Sequence, residues 1–293
     1  ACRRHLDVIC NIASQALDEA GCSWQDIDAI AVAKGPGLVG ALLVGLNYAK
    51  GIALALQKPL IGINHVEAHL YAAMMSAEVK VPLPALGLII SGGHTSLLQI
   101  DSLGSYTSIG RTVDDAVGEA FDKVGCLLGL SYPGGPKVEQ LAKKGNPNSY
   151  NFKAGQVKKH PLSFSFSGLK TSVLYTIKGQ NSSKNDPLEI SEQDKANLAA
   201  SFQKAALKDL VSKTKKACDL HDFSSLCIGG GVSQNRALRQ LFDEAKMDVP
   251  IFWPTPMLCL DNAAMIAGLG YHYLNKTPEG DSLELQASPR LAL

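Results

Sequence analysis

The stretch Pro59-Leu60-Ile61-Gly62-Ile63-Asn64-His65-Val66-Glu67-Ala68-His69-Leu70 joins a short apolar run to a helical pattern. Residues 59–63 read as a buried strand, and the helix begins where that strand ends. Sites on open α/β sheets are built at such strand ends. His65 and His69 lie four residues apart, about 40° around a helix, so both imidazoles leave from one face. Two neutral imidazoles at that spacing suit one divalent metal. One core histidine and one surface histidine on an amphipathic helix fit the pattern as well, and both readings stand at this point. A zincin protease does not fit. Its signature needs glutamate directly after the first histidine. Val66 holds that position, and Glu67 lies about 200° around the helix from His65.

Upstream, residues 5–20 have helical periodicity ended by Gly21. Residues 28–33 read as a strand, Gly35-Pro36-Gly37 as a turn, and 38–56 as a helix rich in Gly and Ala. Strand–helix–strand–helix order makes an α/β lobe. Downstream, 81–84 reads as a connector. Strands at 85–90 and 96–100 are joined through Ser91-Gly92-Gly93-His94-Thr95 as a hairpin. Such a turn is either plain or a loop whose N–H groups approach a phosphate. Residues 114–128 read as a helix whose Asp114, Asp115, Glu119 and Asp122 suggest a solvated face. Residues 132–136 are a tight turn into a helix over 137–144, either a connector or a helix start that binds a hydroxyl or phosphate.

From Lys143 through Lys184 there are eight lysines and no acid, with Tyr150, Phe152, Phe164, Phe166 and Tyr175 among them. Lysines suit phosphates and aromatics stack on bases, although a lysine run is also an ordinary solvated surface. Residues 181–187 read as a flexible loop and 197–221 as a long helix. The strand 225–228, the turn Gly229-Gly230-Gly231 and the helix 236–245 make a strand–glycine–helix unit, where a nucleotide fits. A short strand at 249–253 is followed by a last helix over 263–274. Asp261 stands where its N-cap belongs. It is also the carboxylate best placed to complete a two-histidine site.

Composition limits the alternatives. The 293 residues are 46% hydrophobic and 19% charged, enough for a large core and two lobes. A net charge of +1 gives no bulk attraction to nucleic acid or membrane. The seven cysteines are scattered without a C-x-x-C, which points to reduced thiols and a cytoplasmic setting. The apolar run at 37–46 is too short to span a bilayer and nothing resembles a signal peptide, so no membrane partner is expected.

Seven motifs then carry a resemblance across essentially the whole chain. KGPGLVGALLVGL, INHVEAHL, ISGGHTSLL, GEAFDKVGCLLGLSYPGGP, FSFSGLKTSV, CIGGGVSQN and CLDNAAMIAG occur in that order. They resemble the signatures of TsaD-type tRNA threonylcarbamoyltransferases, once called O-sialoglycoprotein endopeptidases, in their bacterial form. The resemblance implies a two-lobed actin-like ATPase (ribonuclease H-like) fold. It implies transfer of threonylcarbamoyl from threonylcarbamoyl-adenylate to N6 of adenosine 37 in tRNAs reading codons that start with A. It further implies one divalent metal, usually Fe2+ and sometimes Zn2+, on His65, His69 and Asp261. An adenine nucleotide, ATP or the adenylate, would lie on Ile89, Ile90, Ser91, Gly92 and Gly93, with His94 and Thr95 adjoining. Asp122, Gly135 and Glu139 match positions facing the nucleoside, and Asn235 one near the adenine. A TsaB-type partner subunit and a TsaE-type small ATPase are the expected partners besides tRNA. No residue is an evident nucleophile.

The family's opening GIETSCDDT-type strand and loop has no counterpart ahead of Ala1, and only residues 1–5 match the tail of that segment. The expectation is therefore a truncated first lobe, and a chain that does not complete the reaction by itself. The expected lobes are 1–84, 85–256 with an inserted basic segment at 143–187, and 257–293 packing back on the first lobe. Two other functions fit the same fold: an actin-like ATPase or small-molecule kinase, which needs no His65/His69/Asp261 set, and a non-catalytic scaffold paralogue.

Overall fold

The structure is a computed structural model that describes residues 2–178 and 190–293. Lys184 and the loop expected at 181–187 lie outside the described residues. In chain order the elements are α1 (Cys2–Ala20), β1 (Ile30–Gly35), α2 (Val39–Leu56), β2 (Leu60–Asn64) and α3 (His65–Met75). Then come β3 (Ala85–Ile90), β4 (Thr95–Ser102), β5 (Ser105–Arg111), α4 (Val117–Leu127), α5 (Gly134–Ala142), α6 (Ser167–Lys178) and α7 (Glu192–Leu220). Last are β6 (Ser225–Gly229), α8 (Arg236–Ala245), β7 (Ile251–Phe252) and α9 (Ala263–Lys276). Two compact units result, Ala1–Met75 with Asn262–Leu293, and Ser76–Asp261. The divisions fall at 75/76 and 261/262, against the expected 84/85 and 256/257.

In the first unit β1 and β2 pair in parallel, from Ile30 opposite Leu60 to Ala33 opposite Ile63. Every residue of β2 is buried, and its first four, Leu60 to Ile63, read as an unbroken apolar run. Ala49 and Ala53 of α2 pack with Leu60 against Ile30 and Val32. Small residues set the spacing here. A Cβ on Gly270 of α9 would fall 2.7 Å from the Ala31 Cβ. The helix α2 extends well past the run at 37–46, and over its 18 residues it is long and apolar enough to cross a membrane by composition alone, with mean hydropathy 1.6. Here it is a helix laid on a sheet.

The second unit holds a five-stranded sheet in the order β5-β4-β3-β6-β7. β3–β4 and β4–β5 are antiparallel, while β3–β6 and β6–β7 are parallel. β3 is buried throughout, as its sequence ALGLII requires. The core gathers Leu88, Phe121, Phe164, Phe166, Phe202 and Phe242.

Several expectations are corrected. β5, of sequence SYTSIGR, was not anticipated because its residues are mostly polar and exposed, as an edge strand's are. α7 begins earlier than expected, where the Ser191 hydroxyl accepts the Asp194 N–H at 3.1 Å. α4 begins at Val117, so Asp114 and Asp115 are not on it. Asp114 instead clamps the start of α6. Its carboxylate accepts the Ser165 and Ser167 hydroxyls at 2.6 and 2.8 Å and the Phe166 and Ser167 N–H groups at 2.8 and 3.2 Å. The aromatics of the basic segment mostly serve the core. Phe164 and Phe166 are fully buried, and Tyr150 and Phe152 stack on each other against the core. Each buried phenylalanine is worth roughly 1.5–3 kcal/mol, so the fold claims them ahead of any base. Tyr175 alone of the five is exposed.

Candidate active site

The histidine helix starts as its sequence requires. Asn64 ends β2, and its Oδ1 accepts the Val66 N–H at 2.9 Å and the Glu67 N–H at 3.4 Å, capping α3. The His65 and His69 ring centroids are 4.7 Å apart, edge to face, with His69 buried. Glu67 is buried and turned to α9, where the Tyr273 hydroxyl donates to it, 2.8 and 2.9 Å from its two oxygens. Burial, together with Glu67, pushes the Tyr273 hydroxyl far above the usual tyrosine range. Tyr71 meets His272 of the same helix, oxygen to Nε2, at 3.1 Å. α9 therefore holds α3 by residues two positions off the histidine face. The cap of α9 is Asn262, whose Oδ1 accepts the Met265 N–H at 2.9 Å. That corrects the reading of Asp261 as the cap. Asp261 is the preceding residue, the last of the second unit, so helix capping does not account for it.

The second unit contains a cavity of about 250 Å³. It brings together five expected residues from four separate segments: Gly92, Asp122, Gly135, Glu139 and Asn235. Pro133 and Gly231, from the two turns marked for a ligand, also line it, and sequence reasoning missed Gly118, Phe121 and Leu260. Gly118 carried a signal: it lies in the quoted GEAFDK motif, and a Cβ there would fall 2.5 Å from the Ser91 oxygen. Leu260 likewise lies in a quoted motif, CLDNAAMIAG, beside Asp261.

The remaining expected residues do not line this cavity. Ile89 and Ile90 are buried within β3. Ser91 and His94 close the hairpin turn, the Ser91 N–H donating to the His94 carbonyl at 2.8 Å and the His94 N–H to the Ser91 hydroxyl at 3.1 Å. Thr95 is buried and accepts the Val117 N–H at 2.8 Å, fixing the start of α4. Gly93 lies in the turn beside Gly92. A Cβ on either glycine would meet nothing within 4 Å, and neither needs a positive φ.

The polar groups around the cavity sort by task. Asp122 Oδ1 accepts the Gly134 and Gly135 N–H groups at 2.8 and 3.2 Å. Glu139 accepts the Arg236 N–H at 3.0 Å. Asn235 accepts the Leu238 N–H at 3.1 Å. The Gly134 and Gly135 N–H groups at the start of α5, and the Arg236 and Leu238 N–H groups at the start of α8, thus have acceptors within the protein, while Pro133, Gly135 and Pro136 of the turn at 132–136 line the cavity. Two carboxylates at a cavity wall suit hydroxyl donors such as those of a ribose, and Phe121, Val232 and Leu260 give apolar surface for a base. In the basic segment, Lys158 and Lys159 are both exposed.

A family profile described as "TsaD: tRNA N6-adenosine threonylcarbamoyltransferase" matches residues 1–268. A protein of that name from Protochlamydia amoebophila (strain UWE25) is 54% identical over 293 residues, 100% of this chain and 85% of the relative. One from Chlamydia felis (strain Fe/C-56) is 49% identical over 283 residues, 96% of this chain and 81% of the relative. Among solved structures, HypF from T. kodakarensis superposes with a TM-score of 0.63 at 14% identity, covering 90% of this chain and 42% of HypF. Full-length HypF in a phosphate- and nucleotide-bound form gives 0.61 at 14% identity, with 87% and 48% covered. This chain spans less than half the length of either HypF, and the likeness shows the fold alone.

Proposed function

The chain belongs to the TsaD family of tRNA N6-adenosine threonylcarbamoyltransferases, and from that premise we propose how its residues divide the work. It is a transferase that forms threonylcarbamoyl-adenosine in tRNA, with an actin-like, ribonuclease H-like fold. The relatives named above are transferases rather than kinases or scaffolds. The donor is threonylcarbamoyl-adenylate and the acceptor is N6 of adenosine 37. The N6 amine attacks the carbamoyl carbon, the bond to the phosphate oxygen breaks, AMP leaves, and one N6 proton is lost. No general base is assigned, so positioning and electrostatics carry the rate.

The observation that carries this reading is the convergence of Gly92, Asp122, Gly135, Glu139 and Asn235 on one cavity. In it, Asp122 and Glu139 accept the ribose hydroxyls, and the turn at Gly92-Gly93 offers its N–H groups to the phosphate. His65, His69 and Asp261 hold one divalent metal. Support comes from the donor set, two imidazoles from one helix face, their centroids 4.7 Å apart, and a carboxylate. Nitrogen and oxygen donors of this kind suit Fe2+, the preferred ion, or Zn2+. When bound, the metal supplies Lewis-acid polarisation of phosphate and carbamate oxygens.

The exposed lysines of 143–178 contact tRNA. A TsaB-type subunit docks on the first unit, where Leu6, Ile12 and Leu43 are exposed and α1 buries no residue. A TsaE-type ATPase completes the system, and the cytoplasm is its compartment.

Two measurements test this. Purified His69→Ala is expected to lose its bound metal by elemental analysis while its far-ultraviolet circular dichroism is unchanged. Undiminished metal would sink the ligand set. Reconstitution with threonylcarbamoyl-adenylate, tRNA and both partners, read by mass spectrometry of digested tRNA, compares this chain with one preceded by an ETSCDDT-type segment. Modified adenosine is expected from the extended chain. Its absence there would overturn the transfer reading.

A further inference from the structure

Behind the nucleoside cavity lies a buried pair of carboxamides that no catalytic step above uses. Asn235 and Gln203 are only 6% and 8% exposed. Asn235 is the N-cap of α8, and its Oδ1 accepts the Leu238 N–H at 3.1 Å. With its oxygen committed to the cap, the amide must turn its NH2 the other way. There Gln203 Oε1, on α7, accepts it at 2.9 Å. The cap therefore dictates which end of each amide faces which. On its far side Gln203 lines a second cavity of about 430 Å³, with Lys204, Leu207 and Gln240. Close packing does not lock Gln203 from that side, so its hydrogen bond to Asn235 sets its orientation.

We propose that Gln203 is a positioning residue for the nucleoside cavity: it holds the Asn235 carboxamide, and through it the wall at 231–235, in the arrangement that receives the nucleoside. The proposal rests on the nucleoside reading given above. Other hydrogen bonds also fix the wall: the Asn235 N–H donates to the Val232 carbonyl at 3.0 Å, the Ser233 N–H to the Gly230 carbonyl at 3.0 Å, the Arg239 Nε to the Ser233 carbonyl at 2.9 Å, the Arg236 N–H to Glu139 at 3.0 Å, and the Gln234 side chain to the Pro256 carbonyl at 2.8 Å. Gln203 adds one from α7. Without its oxygen, a buried NH2 group has no acceptor, an expensive state in a low-dielectric interior. The Asn235 amide then rotates and releases the Leu238 N–H, and the wall shifts.

The test uses the 293-residue chain with Gln203→Met, which keeps the length of the side chain but removes the acceptor, and Gln203→Glu, which keeps an acceptor oxygen. The side-chain NH2 resonances of Asn235 read the positioning with no ligand present, and calorimetry with AMP reads the cavity. In Gln203→Met the Asn235 NH2 signals are expected to move and lose protection from solvent exchange. The AMP affinity should fall about tenfold, the worth of one buried hydrogen bond. Gln203→Glu should restore both to near the unmodified values. Unmoved Asn235 signals in Gln203→Met, or unchanged AMP affinity beside moved signals, would overturn the positioning role. If Gln203→Met fails to fold, Gln203→Glu decides: altered Asn235 signals or AMP affinity there contradict the proposal. AMP failing to bind the unmodified chain would instead strike the nucleoside reading, while the Asn235 signals still report on Gln203.

Discussion

Two glycine turns in the second unit look alike in sequence and do different work. In Gly229-Gly230-Gly231, Gly230 sits at φ +96°, and a Cβ there would fall 2.5 Å from the Ile90 carbonyl oxygen. The fold itself demands that glycine. In Ser91-Gly92-Gly93-His94, neither glycine has a positive φ and a Cβ on either would meet nothing within 4 Å. The fold does not demand those glycines, and Gly92 lines the cavity. The same contrast separates Asp114, whose carboxylate takes four hydrogen bonds from residues 165–167, from the exposed Lys158 and Lys159. Gly230 and Asp114 have tasks inside the fold, whereas a side chain at Gly92 or Gly93 would meet no neighbour and Lys158 and Lys159 are exposed.

The contrast breaks most visibly at Gly230. Gly230→Ala combines a disfavoured backbone with a clash against a carbonyl, and it should cost about 3 kcal/mol or more. Thermal denaturation checks it, and an unshifted melting temperature would mean the turn relaxes freely. Asp114→Asn should cost less, about 1–2 kcal/mol for weakened charge-assisted hydrogen bonds. Partial burial acts to raise the Asp114 pKa, but the hydrogen bonds from Ser165, Phe166 and Ser167 together carry it below the usual carboxylate value. A depressed folded pKa means that the stabilisation is complete above the unfolded value of about 4 and fades as pH falls through the folded one. The difference in stability between the native protein and Asp114→Asn should therefore shrink in acid, and a pH-independent difference would contradict it. The smallest effect on stability belongs to Lys158→Glu with Lys159→Glu. The fold should not notice, while the dependence of tRNA affinity on salt should lose about one unit of slope per phosphate contact removed. An unchanged slope would leave these lysines as solvated surface.

Much of the fold was legible because the strands β2 and β3 are continuous apolar runs between turn residues, and α3 carries its histidines at helical spacing. The edge strand β5 was not, because an exposed, mostly polar strand has no hydrophobic pattern to read. The basic segment misled on its aromatics. Sequence shows a phenylalanine beside lysines, not whether it points into a core. For the cavity, motif resemblance reached Asp122, Gly135, Glu139 and Asn235, but not that the Asp122 and Asn235 side chains also cap helices. Gln203 escaped notice altogether, since a mid-helix glutamine has no local signature and its task comes from a residue 32 positions away.

The claim that the open glycine turn serves a nucleotide is tested most directly by Gly93→Val, with AMP affinity from calorimetry and melting temperature measured on the same preparation. The branched side chain has room in the fold but blocks approach to the turn's backbone. The account predicts a melting temperature within a degree or two of the unmodified protein and an affinity at least about tenfold weaker. Unchanged AMP affinity in the folded variant would contradict it.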